Sequence, residues 1–418
     1  MMAGTVAQLR QAARFASGLY RERASWTYHG YVRHDPLAEL RTRAGRADPY
    51  PIYERVRAAG RMSPTRLGNW MTPSHELCNR VLRDRRLGVR PIEAALSAEE
   101  FDLSFLEMNP PDHTRLRRLV TPAFSPKQMA GYRARIEKTV QELLDDVSGP
   151  FDLVSAFAAP LPIAVISDLL GVPRERAGDF ARYGATIGSA LDGIRSMRHA
   201  RELMTANAEL EQLFGELFAL RRSEPSDDVV STIVAAQGDG DAQVRPGEML
   251  SLCVLLLIAG FETTVNLISN AVLALLNNPQ QWQALCDDPS LAASAVEETL
   301  RYDPPVQRTS RVALEPVEVD GHLVRKDQWV VTLIGAANRD PDVYPDPSRF
   351  DITRSPVADH LAFSSGIHYC LGQPLARLEA SIALEALAGR MPGLHRSGRV
   401  VRRNATTIRG PIRLPVSP

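Results

Sequence analysis

Cysteine is scarce in this chain, and no two cysteines lie close enough in sequence to suggest a shared role. The four are Cys78, Cys253, Cys286 and Cys370. The paired spacings that bind structural zinc are therefore absent, and nothing indicates an oxidising compartment. Each cysteine has to be interpreted by its own surroundings, and most lone cysteines are small buried residues without chemistry.

The chain also lacks a surplus of charge of either sign. Lys and Arg together number 49, as do Asp and Glu, so the formal net charge is zero. Lysine is rare, since Lys127, Lys138 and Lys326 are its only examples. A protein dedicated to nucleic acid needs a basic stripe that neutralises phosphates. The charge balance therefore predicts no nucleic-acid partner.

A long apolar run is missing from the N-terminal region, so we expect neither a signal peptide nor a membrane anchor there. The longest apolar stretch of the chain extends from Met249 to Leu276 and is interrupted by Glu262. That interruption favours a buried core helix. We therefore expect no transmembrane segment, and we expect the protein in the cytoplasm.

The length of 418 residues favours two domains, because single cores rarely grow beyond roughly 250–300 residues. The pattern from residue 47 onward is nevertheless continuous. We therefore expect one domain over 47–418, preceded by a basic N-terminal extension over 1–46 that is helical in part. A loop over 84–108 is long for a compact domain, and such loops are usually functional or disordered.

Helical periodicity dominates the rest of the chain, and strand-like segments are few and short. The sequence therefore predicts a mainly α protein with small β-sheets. The expected helices cover 49–60, 74–82, 112–121, 126–147, 160–170, 174–222 with breaks, 247–277, 291–302 and 372–390, and the expected strands cover 65–72, 311–319 and 328–334.

Cys370 differs from the other cysteines in its surroundings. It lies in the stretch FSSGIHYCLG, over Phe363–Gly372, and a helical sequence follows directly. Free backbone N–H groups and the helix dipole at a helix N-terminus stabilise a thiolate. A cysteine thiolate is one of the few protein ligands of haem iron. Cys370 is therefore a candidate metal ligand, whereas a small buried cysteine is the ordinary alternative.

The middle of the long apolar helix carries the second unusual feature, the segment from Ala259 to Thr264. Glu262 is the only charged residue between Glu248 and Asp287. A buried carboxylate is costly unless it has a partner or a function. Small residues would leave a groove beside the helix, where Thr263 could hold a water molecule or dioxygen. A kinked helix with an exposed glutamate is the equally weighted alternative.

These two segments resemble the cytochrome P450 family. The family signature F-x-x-G-x-x-x-C-x-G matches at Phe363, Gly366, Cys370 and Gly372, with Ser364 where bacterial members usually carry glycine. The resemblance implies the cytochrome P450 fold. It also implies that haem b binds next to these residues and that Cys370 ligates its iron.

The same resemblance implies roles for further residues. Glu262 and Thr263 match the acid–alcohol pair that delivers protons to iron-bound oxygen, so we expect both to be catalytic. The cofactor would also contact Ala259. The positions that match the cationic partners of the haem propionates are His113, Arg117, Arg311 and His368.

A structural set of the family falls on Glu298 and Arg301, which form its E-x-x-R motif, and on Arg349 in the P-x-R-F element. These three residues would fold the coil before Cys370 against a helix. One departure lies at Asn109, where the family usually has aspartate.

The reaction implied is insertion of one oxygen atom from O2 into a mainly apolar organic substrate, with release of the second atom as water. No Gly-rich nucleotide motif is present, so electrons would come from a separate ferredoxin or flavodoxin. Two alternatives stay open. One is a peroxide-driven oxygenase on the same fold, and the other is a haem-thiolate sensor or ligand carrier that is not an enzyme.

The substrate pocket is expected between the loop 84–108, the region 174–200, Ala259, Thr263 and the turn at 306–307. A polyketide macrocycle, a steroid or a fatty acyl chain would each suit such a pocket. Its expected apolar lining is Ile92, Leu96, Leu103, Leu106, Ile187 and Leu191.

A basic patch on the cysteine side is the last prediction. Arg115, Arg118 and Arg377 would form it and attract an acidic ferredoxin. Ordinary solvated arginines are the equally weighted alternative.

Overall fold

The computed structural model describes residues 2–90, 103–238, 243–355 and 358–418. Helices form most of these residues, as the sequence predicts. Their bounds are α1 (Met2–Tyr31), α2 (Pro36–Glu39), α3 (Arg43–Ala47), α4 (Tyr50–Ala58), α5 (His75–Arg83), α6 (Asp112–Val120), α7 (Pro126–Asp145), α8 (Pro160–Leu170), α9 (Ala177–Gly188), α10 (Met197–Ser223), α11 (Val229–Ala235), α12 (Pro246–Asn277), α13 (Pro279–Asp287), α14 (Ala292–Tyr302), α15 (Ile334–Ala337) and α16 (Gln373–Arg390).

The strands are short, and the largest sheet lies beside the helices with five of them in the order β1-β2-β8-β5-β3. Strands β2 and β8 are parallel, whereas β5 is antiparallel to both β8 and β3. The remaining strands form small antiparallel sheets. The bounds are β1 (Ser63–Pro64), β2 (Trp70–Thr72), β3 (Leu87–Gly88), β4 (Phe151–Asp152), β5 (Thr309–Ala313), β6 (Val317–Val319), β7 (His322–Val324), β8 (Trp329–Thr332), β9 (His395–Arg396), β10 (Val401–Arg402), β11 (Pro411–Arg413) and β12 (Pro415–Ser417).

Helix α12 is the centre of the molecule. Its 32 residues extend about 48 Å, and it packs against α8, α9, α14 and α16. Proline opens it at Pro246, where a missing N–H costs nothing. Among the described residues, α12 alone has the length and apolarity of a membrane span, and 83% of its most apolar window is buried inside the protein. That burial agrees with the prediction of a core helix.

The glycine in the middle of α12 has a packing reason. A Cβ atom added at Gly260 would lie 2.8 Å from Cδ1 of Ile166, a side chain of α8. Gly260 therefore lets α8 cross α12 closely, so its first role is in helix packing rather than in opening a groove.

The N-terminal helix α1 lies along the connection between α9 and α10. Phe15 and Leu19 are buried in a small cluster with Ala200 of α10. The guanidinium of Arg23 donates a hydrogen bond to the carbonyl oxygen of Arg195 at 2.7 Å. The C-terminal part of α1 is thus held against the segment that joins α9 to α10.

Candidate active site

Cys370 lies at the entrance to α16, between a 3₁₀ turn over Gly366–His368 and the first helical residue, Gln373. Burial raises the pKa of its thiol, while the backbone N–H groups of Gly372 and Gln373 and the charge of Arg117 lower it. The helix start therefore supplies the donors that the sequence predicts. A bound metal ion would complete the deprotonation of this thiol.

The loop before Cys370 needs unusual backbone conformations. Gly366 has a φ of +70°, and a Cβ atom there would lie 2.6 Å from the carbonyl oxygen of Leu82. Ser364 also has a positive φ, +64°, in the left-handed region that favours glycine. This is the position where bacterial relatives usually carry glycine, so the serine adopts the same turn at some cost in strain. The backbone N–H of Cys370 closes the turn on the carbonyl oxygen of Phe363, at 2.9 Å.

Four basic side chains from three separate segments meet near Cys370. The rings of His113 and His368 lie 4.4 Å apart, centroid to centroid. Arg311 is buried on β5, and its guanidinium donates to the carbonyl oxygen of Ser310. Arg117 donates to the carbonyl oxygen of Tyr369 at 2.5 Å. All four are the residues expected to contact the haem propionates, and the fold brings them together.

This basic cluster has buried polar atoms without partners. Both ring nitrogens of His113 and Nε2 of His368 have no hydrogen-bond partner among the described residues. Burial, and then the neighbouring Arg311, lower the pKa of His368 to about 3, and burial with Arg117 lowers that of His113 to about 4. A pair of buried carboxylates would supply the missing acceptors and charge. The cluster therefore fits the two propionates of haem.

Helix α12 has a short accessible stretch in its middle, which we call the groove. Ala259 is exposed, and Gly260 and Thr263 are half-buried, whereas the other α12 residues over 251–266 are buried. The hydroxyl of Thr263 donates to the carbonyl oxygen of Ala259 at 2.8 Å. The next hydroxyl, on Thr264, is buried and donates to the carbonyl oxygen of Gly260 at 3.0 Å. Only the first of these two threonines faces the groove.

Glu262 is buried and has a partner that sequence reasoning missed. Its side chain is 2% exposed and forms an ion pair with Arg403, in the loop after β10. It also lies against α9, because a Cβ atom at Gly188 would be 2.6 Å from Oε2 of Glu262. The alternative interpretation, in which Glu262 is exposed at a helix kink, is therefore wrong. Nothing in the sequence around Arg403 indicates this pairing.

Glu298 and Arg301 form an ion pair, as their spacing suggests, and the pair is buried. Nε and Nη2 of Arg301 lie 2.7 and 2.8 Å from the two carboxylate oxygens of Glu298, and each side chain is 4% exposed. Arg301 also donates to the carbonyl oxygens of Pro347 and Arg349. The pair therefore fastens the coil that leads to Cys370 onto α14.

The third member of this set is Arg354 rather than Arg349. The side chain of Arg349 is 65% exposed and reaches Asp351, so only its carbonyl oxygen contacts Arg301. Nε of Arg354 lies 3.4 Å from Oε1 of Glu298, and its guanidinium donates to the carbonyl oxygen of Arg349. The turn before Phe350 points the Arg349 side chain outward, which the spacing of the motif does not reveal.

The chain is similar to known proteins over most of its length. The model of the family "Cytochrome P450" matches residues 194–388. A biotin biosynthesis cytochrome P450 of Bacillus subtilis is 39% identical over 359 residues, which are 83% of this chain and 90% of the relative. The 6-deoxyerythronolide B hydroxylase of Saccharopolyspora erythraea is 38% identical over 403 residues, 91% of this chain and 98% of the relative. This chain belongs to the cytochrome P450 family.

Solved structures agree with the family. The ligand-free crystal structure of Mycobacterium smegmatis CYP164A2 matches with a TM-score of 0.84 and 40% identity, covering 92% of this chain and 99% of that one. The predicted P450 fold is thereby confirmed. The relatives are named as P450 monooxygenases and hydroxylases. This P450 is therefore an oxidoreductase of the monooxygenase type, and its cofactor is haem.

The predicted basic patch of this P450 is wrong in two of its three members. The side chain of Arg115 is 9% exposed, and its guanidinium pairs with Glu248 and Asp112. Arg377 is half-buried over the ring of Phe363 and pairs with Glu297. Both arginines serve contacts between elements, and Arg118 alone stays exposed.

Asn109, where the family usually has aspartate, makes two hydrogen bonds through its side-chain amide. Its side-chain oxygen accepts from the backbone N–H of Val89 at 3.0 Å, and its amide nitrogen donates to the carbonyl oxygen of Val89 at 2.7 Å. A carboxylate could make the first bond but could not donate the second. The amide therefore fixes the end of β3 with a pair of bonds.

Four of the six apolar residues expected to line the substrate pocket are among the described residues. Ile92 and Leu96 lie outside the described residues. Leu103 and Leu191 are half-buried, Ile187 is buried, and Leu106 is exposed. Gln307 is buried, and its amide nitrogen donates to the carbonyl oxygen of Pro304 at 2.8 Å, which gives this side chain a structural contact.

Gly372 is the one signature glycine for which the described atoms give no steric reason. Its φ is −80°, and an added Cβ atom would meet only a carbon of Phe124, at 3.8 Å. Neither backbone strain nor a close protein neighbour excludes a side chain there.

Proposed function

We propose that this P450 inserts one atom of O2 into a mainly apolar organic substrate, and that Cys370 would hold the haem iron as a thiolate. The observation that carries the proposal is the pair on α12. The hydroxyl of Thr263 faces the groove, and the preceding residue, Glu262, has a buried carboxylate. A hydroxyl that can hold water beside a carboxylate that can exchange protons is what reduction of dioxygen requires.

Haem, when bound, supplies the redox chemistry, and a thiolate ligand favours cleavage of the O–O bond. Cys370 would hold the iron at the start of α16. The propionates would be held by the basic cluster of His113, Arg117, Arg311 and His368. The small side chain of Ala259 would leave room for the flat cofactor next to α12.

Proton delivery is assigned to Thr263 and Glu262. Because the Thr263 hydroxyl donates to Ala259, its lone pairs stay available to accept from a water molecule in the groove. Glu262 lies one residue away and connects, through Arg403, with the partly exposed loop after β10. Because a guanidinium keeps its proton, Arg403 would position the carboxylate, and Glu262 itself would exchange protons with water in the groove.

We propose an apolar substrate, such as an acyl chain or a macrocycle. The residues near the groove and the relatives support this proposal. Ile187, Leu191 and Leu103 are apolar. One similar structure is CYP267B1 of a myxobacterium in complex with myristic acid. Another is P450BioI with an acyl carrier protein that carries hexadec-9Z-enoic acid. One relative is a 6-deoxyerythronolide B hydroxylase.

A ferredoxin or flavodoxin is proposed as the electron donor, and it would dock over the Cys370 loop. Ile367 and Tyr369 are exposed on either side of His368. Arg118 is exposed in the last turn of α6, which Arg117 joins to the loop through the Tyr369 carbonyl. An apolar centre with a basic rim suits a small acidic protein. A cytoplasmic location is proposed with it, since the one span-length helix described serves as the core.

The two alternatives are less well supported. A peroxide-driven oxygenase receives its protons with the oxidant, and a sensor or carrier reduces no oxygen. Neither has a need for the groove-facing Thr263 with a buried carboxylate behind it. Product formation with hydrogen peroxide that exceeds the ferredoxin-supported rate would favour the first alternative. Substrate binding without any product under both conditions would favour the second.

Isotope labelling tests the proposed reaction directly. The holoenzyme with ferredoxin, its reductase, NADPH and an apolar substrate that shifts the haem spin state should be supplied with ¹⁸O2. We expect one ¹⁸O atom in each product molecule, as measured by mass spectrometry. Label that enters from H2¹⁸O instead, with none from ¹⁸O2, would contradict the proposal.

A further inference from the structure

A cleft rich in arginine lies between the N-terminal helices and the C-terminal loop. It is open to solvent, and its lining includes Arg46, Arg402, Arg403 and Arg409. We call it the arginine pocket. No residue of this pocket belongs to the expected haem contacts.

Positive charge exceeds negative charge in the arginine pocket. Nε of Arg409 lies 2.9 Å from Oδ1 of Asp303, and Nη1 of Arg402 lies 3.8 Å from Oδ2 of the same carboxylate. Arg403 pairs with Glu262. The guanidinium of Arg46 contacts a backbone carbonyl oxygen, that of Arg41. The carboxylate of Asp48 also acts on Arg402, so three carboxylates face four guanidinium groups and leave a surplus of one positive charge.

Some of these guanidinium N–H groups are buried without an acceptor. Nη1 of Arg402 and Nε of Arg403 have no hydrogen-bond partner among the described residues. Burial, and then the charge of Arg409, lower the pKa of Arg402. Buried donors without acceptors cost free energy, and repulsion between guanidinium groups adds to it. An anion in the pocket would relieve both.

The arginine pocket adjoins the proposed active site. Arg403 reaches Glu262, which precedes the groove-facing Thr263 on α12. The loop that carries the arginines continues to Ile408, which forms a β-bridge with Val306. A Cβ atom at Gly410 would overlap the side chain of Asn266, one turn along α12. The loop therefore lies directly on α12 beside the catalytic pair.

We propose that the arginine pocket binds the carboxylate of an apolar substrate that ends in an acid group, such as a long-chain fatty acid. The inference rests on the proposed function and names its substrate class. The planar fork of a guanidinium matches a carboxylate and can bind it through two parallel hydrogen bonds. The apolar chain would then leave the pocket on the side of Gln307, towards the turn at 306–307 that is expected to border the substrate.

A matched pair of probes tests this site in the holoenzyme. Tetradecanoate and tetradecan-1-ol have equal chain lengths and differ only in the acid group. Dissociation constants should be measured at constant ionic strength by the haem spin-state shift and by calorimetry. We expect the acid to bind about tenfold more tightly than the alcohol, which corresponds to about 1.4 kcal/mol.

Variants of the pocket assign that preference to its arginines. Arg402→Gln should remove most of the preference for the acid, whereas Arg402→Lys should retain part of it. Arg413→Gln is the control, because Arg413 is exposed on the neighbouring strand β11 and outside the pocket lining. It should leave the ratio of the two dissociation constants unchanged.

Three results would overturn the inference. They are equal affinities for the acid and the alcohol, no binding of either probe, and a preference that survives in Arg402→Gln combined with Arg403→Gln. The proposed function fails differently. In that case tetradecan-1-ol binds and shifts the spin state, yet no ¹⁸O from ¹⁸O2 enters a product.

Discussion

Two neighbouring threonines of α12 differ only in what they face. Thr263 borders the groove and Thr264 is buried, yet each hydroxyl donates to the carbonyl oxygen four residues earlier. The local backbone bonding is therefore the same for both. A difference between their variants reports the surroundings of the hydroxyl rather than a change in the helix.

Thr263→Ala should uncouple oxygen consumption from product formation. Without the hydroxyl, water in the groove loses a hydrogen-bond partner, so proton delivery from the groove becomes less selective. We expect product per NADPH to fall at least about tenfold while NADPH oxidation continues. Thr264→Ala should keep its product yield and lose no more than about 1 kcal/mol of stability. Equal yields from the two variants would contradict the assignment of Thr263.

Motifs in the sequence were sufficient to predict site residues whose signal is local. They were insufficient to predict the residues with which these pair. The placement of Cys370 before a helix is visible in ten residues of sequence. The same is true of Glu262, the single charge in an apolar helix. Its partner Arg403 stands in a loop distant in sequence, where nothing marks one arginine among several. Arg354 was missed for a related reason, because spacing cannot tell which side of a turn a side chain takes.

Helix α14 and the coil after α15 depend on one another through a buried ion pair. Glu298 and Arg301 are joined by two short hydrogen bonds, and Arg301 holds three backbone carbonyls of the coil. The N–H of Asp351 donates to Glu298 as well. The pair therefore positions the segment that continues to Cys370.

Glu298→Gln should cost about 3 kcal/mol of unfolding free energy, because it leaves the charge of Arg301 buried without its partner. Arg349→Gln is the comparison, and its cost should stay within about 0.5 kcal/mol, since the side chain is mostly solvated. Urea denaturation followed by circular dichroism measures both. A larger loss in Arg349→Gln than in Glu298→Gln would restore the original expectation for Arg349.

Long helices were predictable and short strands were not. The expected helices at 126–147 and 247–277 correspond to Pro126–Asp145 and Pro246–Asn277. Such lengths contain several turns of the apolar period, which makes the pattern clear. The expected strand at 65–72 is instead two pieces, Ser63–Pro64 and Trp70–Thr72. Pieces of two or three residues are too short to show an alternating pattern, and they are stabilised by their neighbours in the sheet.

The whole molecule has no net charge, so attraction of a redox partner must come from local charge. Arg118 is exposed beside the Cys370 loop, whereas Arg115 and Arg377 are occupied by ion pairs. Charge along a sequence does not show which arginines are paired within the fold. Two of the three residues expected in the basic patch were therefore misassigned.

Arg118→Glu should raise the KM for ferredoxin roughly fivefold at low salt, because charges at the rim of an interface mainly change the association rate. The effect should shrink above about 0.3 M salt, where screening is strong. Arg198→Glu is the control, since Arg198 is exposed on α10, among elements that do not adjoin the Cys370 loop. Steady-state kinetics with varied ferredoxin give both values. An unchanged KM in Arg118→Glu would exclude this docking surface.

The thiolate ligand is the claim on which the rest of the account depends, and carbon monoxide tests it most directly. The reduced wild-type holoenzyme with carbon monoxide should show the Soret shift of a thiolate-ligated haem. Cys286→Ala, which removes another partly exposed free cysteine, should show the same shift. Cys370→Ala should lose it, even if haem remains bound. Persistence of the thiolate-type shift in Cys370→Ala would contradict the account.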